Sequence, residues 1–323
     1  MIRTMILDAD LSVPAAPIRL LLLAFTASFM HQIMRLSGRG DKMEDADDAW
    51  ISFYEKSWAS RALLFDKILN EEKNLHRALR LFEAAASGNK ADEGNELSSV
   101  TDDAIDSLMK RVHSISFGKE IVLSKYHNFS MSLMLADFSK NRDCIIELGS
   151  GYGKQLFDIY LNGGPSEARY IAAEPTTSGR DMCNRLSKLE PAMNIASVPF
   201  DFNNPDFSHI SEFSNILMFT SWSAMFVQPF PFSFFESISS IEGAVTCVFC
   251  EPIGFQIQPE NTDLQSLVRR VVSEQKFNTD FFSKLIAAQK SCLIDVDLII
   301  SDICGSLDDA GTIGSVIVAR NMH

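Results

Sequence analysis

Basic residues are scarce in this chain. Twenty-nine Lys and Arg stand against 42 Asp and Glu, a formal net charge of −13 with a pI near 4.9. No Lys/Arg-rich run interrupts the acidity. Such a surface is repelled by a phosphate backbone, so nucleic acid is not an expected partner. Long apolar runs are lacking as well. Residues 18–30 are apolar but contain Arg19 and fall short of the ~20 residues that span a bilayer. Asp8 and Asp10 precede them, where a secretory signal would carry basic residues. A cytoplasmic protein without a membrane span is expected. Histidine is limited to six residues, and no Asp/Glu/His group has metal-ligand spacing, so no metal is expected. The six cysteines include one CxxC, Cys247 to Cys250, without a second CxxC or a His pair beside it. It belongs to an apolar run that reads as a strand, where residues three apart point to opposite faces. Buried thiols in a reducing compartment are the expected reading.

The chain does have enough apolar residues, 46% of 323, for one large domain or two modest ones. Its most informative stretch is CIIELGSGYGK, 144–154. A short β-branched run reads as a buried strand. Gly149, Gly151 and Gly153 then allow a sharp turn close to a ligand, and 154–161 reads as the following helix. Strand, glycine loop and helix open a nucleotide-type site in a doubly wound sheet. The dinucleotide fingerprint G-x-G-x-x-G would place its third glycine at 154, where this chain has Lys154. A pyrophosphate also asks for helix N-terminal amides. Glu147, two residues before the first glycine, instead suits a cationic ligand. A nicotinamide-dependent oxidoreductase is therefore disfavoured.

Other strand-like runs follow. Residues 169–173 end at Glu174, an acid placed to accept both hydroxyls of a ribose. Pro175-Thr176 fits a helix start, with the helix over 177–189. Residues 194–200 lead to Asp201 and Phe202, 213–219 to Thr220, Ser221 and Trp222, and 244–249 to Cys250 and Glu251. Ligands bind outside the carboxyl ends of such strands. Residues 261–289 read as helical, and two last apolar runs, 293–300 and 312–319, flank an acidic loop at 302–311.

The glycine loop resembles motif I of the class I S-adenosylmethionine-dependent methyltransferases, and the order of seven strand-like runs extends the resemblance over 143–323. What it implies is an α/β, Rossmann-like seven-stranded sheet with an antiparallel last strand, S-adenosylmethionine as cofactor and a small-molecule substrate. Glu147, Gly149, Ser150, Gly151, Gly153, Glu174, Asp201, Phe202 and Thr220 would then hold the donor. Asp201 would take the adenine amino group and Phe202 would pack on the ring. Ser221, Trp222 and Tyr126 would border the acceptor. ELGSGYGK, the segment Glu174 to Gly179 and the helical first half also resemble bacterial sugar O-methyltransferases, which implies a hydroxyl of a sugar or glycan precursor. An N- or carboxyl-methyltransferase and a non-catalytic methyltransferase-like binding module are the alternatives.

Residues 1–140 read as a helical cap on a methyltransferase domain, 141–323. Leu64, Ile68, Leu75, Leu79 and Phe82 have helical spacing, and Trp50, Phe53, Tyr54 and Trp58 read as core aromatics. A linker at 86–99, a helix from Thr101 through Ile115 and a helix over 121–138 complete this half. A hydroxyl acceptor needs a base, for which His127, His209 and Glu251 are candidates. A homodimer is compatible with the sequence.

Overall fold

The computed structural model describes residues 46–86, 122–123, 127–257, 269–270, 272–273, 276–306 and 309–322. The apolar run 18–30, the linker after residue 86, the helix expected over 101–115, Tyr126 and residues 258–268 lie outside them.

The chain enters through helices α1 (Ala46–Glu71) and α2 (Leu75–Ala86). The apolar stripe read from the sequence is there, but it is split between the two helices. Asn74 starts the second by accepting the Arg77 amide at 3.0 Å, a side-chain cap on a free N–H. Phe65, Leu75, Leu79 and Phe82 are buried.

Among the described residues eight strands form one sheet: β1 (Val122–Leu123), β2 (Cys144–Leu148), β3 (Arg169–Ala173), β4 (Ile195–Val198), β5 (Asn215–Ser221), β6 (Ala244–Glu251), β7 (Ile294–Ser306) and β8 (Asp309–Asn321). Their spatial order is β1-β7-β8-β6-β5-β2-β3-β4. β2 pairs in parallel with β3 on one side and β5 on the other, so the order reverses at β2. The crevice that opens at such a switch point is where ligands bind. β8 is antiparallel to both β6 and β7. Apart from the two-residue β1, this is the Rossmann-like class I methyltransferase sheet that the resemblance implied.

Helices α3 (His127–Phe138), α4 (Lys154–Leu161), α5 (Thr177–Leu186), α6 (Ser233–Ser239), α7 (Gly254–Ile257) and α8 (Phe281–Lys290) connect the strands. The helix expected over 121–138 is shorter. Residues 122–123 pair in parallel with β7 instead, because an apolar segment beside an open sheet edge satisfies its backbone there. The acidic stretch expected as a loop at 302–311 is largely strand, with register shifts in the β7–β8 ladder absorbing its irregularity.

Each face of the sheet has its own core. Phe65, Phe82, Leu135, Phe157, Tyr170 and Phe219 fill one, so α1 and α2 share a core with the sheet. Phe234, Phe235, Phe249 and Phe281 dominate the other. Cys250 belongs to the first and Cys247 to the second, the opposite-face placement expected of CxxC on a strand. Burial pushes the Cys247 thiol up to about 12, the behaviour of an inert buried hydrophobe. Among the described residues no helix is long and apolar enough to cross a membrane.

Candidate active site

β2 ends in the glycine loop. The Gly149 and Ser150 amides both donate to the Ala173 carbonyl at the end of β3, at 2.7 and 3.2 Å. Gly149 and Gly151 have φ of 73° and 54°, a region where a side chain is strained. A Cβ on Gly149 would stand 2.4 Å from the Ser223 Cβ, and one on Gly151 would stand 3.0 Å from the Trp58 ring. Lys154, at the position of a dinucleotide fingerprint's third glycine, binds Asp158 at 2.5 Å and Glu83 of α2 at 3.0 Å. It thereby fastens α2 to the start of α4.

Above the loop lies a cleft of about 400 Å³, within the range of small-ligand sites. Glu147, Gly149, Ser150, Gly151, Glu174, Asp201, Phe202, Ser221 and Trp222 all line it. The acids at the ends of β2 and β3 and the one after β4 therefore converge, as parallel strands carry their carboxyl ends to one edge.

Glu147 is 3% exposed, and one of its carboxylate oxygens has no hydrogen-bond partner. Burial raises its pKa, opposed by Lys154 and reinforced by Glu174 and Asp158. The Ser150 hydroxyl is likewise buried without a partner. Glu174 accepts the Gly151 amide at 2.8 Å and the Thr176 amide at 3.1 Å, and the Thr176 hydroxyl also donates to it. Burial raises its pKa too, while these donors oppose the shift. Each carboxylate oxygen has two lone pairs, so these bonds leave capacity for a ligand hydroxyl. Asp201 is exposed and accepts the Asn203 amide at 2.8 Å. Phe202 is held against Phe200, Phe230 and Phe234.

Several expected site residues stand elsewhere. Gly153 does not line the cleft. It caps α4 with φ 79°, and a Cβ there would come within 3.0 Å of Cys183 Sγ on α5, so its bareness serves helix packing. Thr220 is 1% exposed, does not line the cleft and lies beside Glu251. Glu251 is fully buried and accepts the amides of Ser223, Ala224 and Met225, each at 3.1 Å. It holds the loop after β5 and does not line the cleft. His209 lies in a separate cavity with Asp143, Arg169 and Asn194, by the amino-terminal ends of the strands. A base there cannot reach the cleft. His127 begins α3, and Tyr126 lies outside the described residues.

The sequence reading missed the contribution of α1. Trp50, Tyr54 and Trp58, expected in the core, line the cleft from across the glycine loop. Their i, i+4, i+8 spacing puts them on one helix face, which was the available signal. Glu55 beside them accepts the Thr177 and Ser178 amides at 2.7 and 3.1 Å, and Ser178 Oγ donates back to the Glu55 carbonyl at 3.1 Å. Thr176 caps the next amide, Gly179, so the start of α5 is satisfied partly from another helix. Arg185 and Asp66 pair farther along the same contact. A Glu55→Ala variant should lose about 1 kcal/mol of stability by the usual worth of an N-terminal cap, read as a lower denaturant midpoint.

No protein-family model matches the chain, and no curated protein does. Solved structures that resemble it include a geranyl diphosphate methyltransferase in complex with SAM, 14% identical, covering 72% of this chain and 92% of that one, with a TM-score of 0.43. A geranyl diphosphate C-methyltransferase from Streptomyces coelicolor A3(2) is 13% identical over 59% of this chain and 77% of its own, TM-score 0.42. The CcbJ methyltransferase from Streptomyces caelestis is 13% identical over 62% and 91%, also at 0.42. The strand order and the cleft, rather than these likenesses, carry the assignment: the chain has a class I methyltransferase fold with its candidate site at the switch point of the sheet.

Proposed function

We propose that this protein is an S-adenosylmethionine-dependent methyltransferase acting on a small molecule. The carrying observation is Glu147. A carboxylate so deeply buried, with an oxygen lacking any partner, is costly unless a cation neutralises it. The sulfonium and ammonium groups of the donor are cations of the right kind, and Ser150 offers a free hydroxyl beside them. Glu174 faces the cleft with one lone pair of a carboxylate oxygen to spare for a ribose hydroxyl, and Asp201 with Phe202 suits an adenine. The bound donor supplies an activated methyl group. The chain's own residues hold it and present an acceptor in line, and positioning of that kind can supply much of the rate.

The finer reading is O-methylation of a sugar or glycan-precursor hydroxyl, supported by the sequence resemblance. In the same reading, residues 1–140 form a cap that shapes the acceptor side and 141–323 the methyltransferase domain.

Thermal-shift and calorimetric titration with S-adenosylhomocysteine and with NAD test the donor. Stabilisation by the first and not the second is expected, and no response to S-adenosylhomocysteine would sink the proposal. A Gly151→Asp variant should stay folded yet lose that binding, since its side chain enters the cleft beside Trp58 and Glu174. Release of S-adenosylhomocysteine with candidate glycans separates an enzyme from a binding module.

A further inference from the structure

The carboxylates occupy one part of the cleft, around the ends of β2, β3 and β4. Much of the remaining wall is aromatic. Trp50 and Tyr54 of α1 pack on Phe226, with ring centroids 4.6 and 5.2 Å apart, and Trp222 joins the same cluster. Phe277 backs Phe226 at 5.3 Å, so the wall is braced from behind. Trp222 is partly buried and lines the cleft.

A second, independent observation concerns its backbone. Trp222 has φ 51°, a left-handed conformation that bulky residues avoid. The chain is held there by the Trp222 amide donating to the Cys250 carbonyl at 3.0 Å and by Glu251 gripping the next three amides. Strain that is locked in from several sides belongs with sites that need one side chain in one place. A glycine or asparagine would meet the backbone requirement at less cost, so the indole itself is what the position keeps.

We propose that the methyl acceptor carries a ring with an uncharged apolar face, and that this face stacks on the wall formed by Trp50, Trp222 and Phe226. Trp222 and Trp50 are the specificity-determining residues. A planar aromatic ring and the apolar face of a sugar ring share this chemistry. The inference rests on the donor site proposed above, because only a bound donor defines which end of the cleft receives the acceptor.

The three tryptophans of the chain, Trp50, Trp58 and Trp222, all line the cleft, so tryptophan fluorescence, excited where tyrosine does not absorb, reports on it. The experiment first saturates the protein with S-adenosylhomocysteine; failure at this step overturns the donor reading and is recognised as such. The loaded protein is then titrated with two panels, neutral phenols and methyl hexosides, and with acyclic polyols of similar size. Binding, read by calorimetry beside the fluorescence because phenols absorb and emit in the same range, is expected with at least one ring panel and not with the polyols, and the responding panel identifies the source of the ring. Trp222→Gly, which relieves the backbone strain, and Trp50→Ala should each weaken the responding ring compound about tenfold, the usual scale for a lost aromatic contact, while S-adenosylhomocysteine affinity holds. The proposal is overturned if the donor product binds but neither ring panel does, if polyols bind as well as rings, or if both variants keep ring affinity.

Discussion

A Glu251→Ala variant should lose at least about 3 kcal/mol of stability and weaken donor binding with it. Three amides, those of Ser223, Ala224 and Met225, converge on one fully buried carboxylate. Removing it leaves them without partners, at about 1–3 kcal/mol each. The loop they belong to carries Trp222 and Ser223 into the cleft, and the Ser223 hydroxyl donates to the Leu148 carbonyl at 2.6 Å, at the root of the glycine loop. Denaturant titration and S-adenosylhomocysteine calorimetry on the same variant should therefore report a joint loss; full donor affinity would show that the loop is organised without Glu251. The pH dependence has a definite sign. Burial lifts the Glu251 carboxyl to about 7, above the ordinary 4.5, so the native state favours the proton. Its contribution to stability is fully present below about pH 4.5 and is lost as pH rises through about 7. A Glu251→Gln variant should show a flatter stability curve across that window. The glutamine NH₂ cannot accept one of the amides, so the variant should also be less stable throughout.

Gly149→Ala is the second large effect. A Cβ at this position meets Ser223 Cβ at 2.4 Å, and φ of 73° is strained for alanine regardless of space. Neither side can yield easily, because the Gly149 amide is bonded to Ala173 at 2.7 Å and Ser223 is anchored at both its hydroxyl and its amide. About 2 kcal/mol of stability should go, combining left-handed backbone strain with overpacking. Donor affinity should fall at least about tenfold as the two loops separate. Gly163→Ala is the control. Its φ is 91° but a Cβ there meets nothing within 4 Å, and it lies outside the cleft. It should show backbone strain of about 1–2 kcal/mol with unchanged donor binding. Equal loss of donor binding in both variants would mean that general destabilisation, not loop geometry, governs the site.

Much of this arrangement was legible from residues alone. The β-branched run before Glu147, the alternating glycines and the acids after later apolar runs located the carboxyl edge of a parallel sheet. Strand periodicity also placed Cys247 and Cys250 on opposite faces. Local chemistry suffices for these, because a strand's side chains alternate and its end is marked by the residues that follow it. The misassignments share a different physical origin. Glu251 and Thr220 are polar residues at strand ends, like Glu174, yet both are buried away from the cleft, and Glu251 satisfies a loop instead. His209 follows the Asp201 segment closely in sequence but returns to the opposite edge of the sheet.

The role of α1 required the most from three dimensions. Trp50, Tyr54 and Trp58 form an aromatic stripe that serves equally well as core or as wall until something is placed opposite it. Glu55 finds its partners 122 and 123 residues away at the start of α5. Sequence determined the strand ends, the glycine turn and the acids of the candidate site, since each depends on neighbours a few bonds distant. Tertiary structure alone decided which polar groups face the cleft and which face the protein, and it brought α1 over the loop as the aromatic wall. Burial and hydrogen-bond satisfaction are settled by what the folded chain packs against each group, and that information is spread over the whole fold.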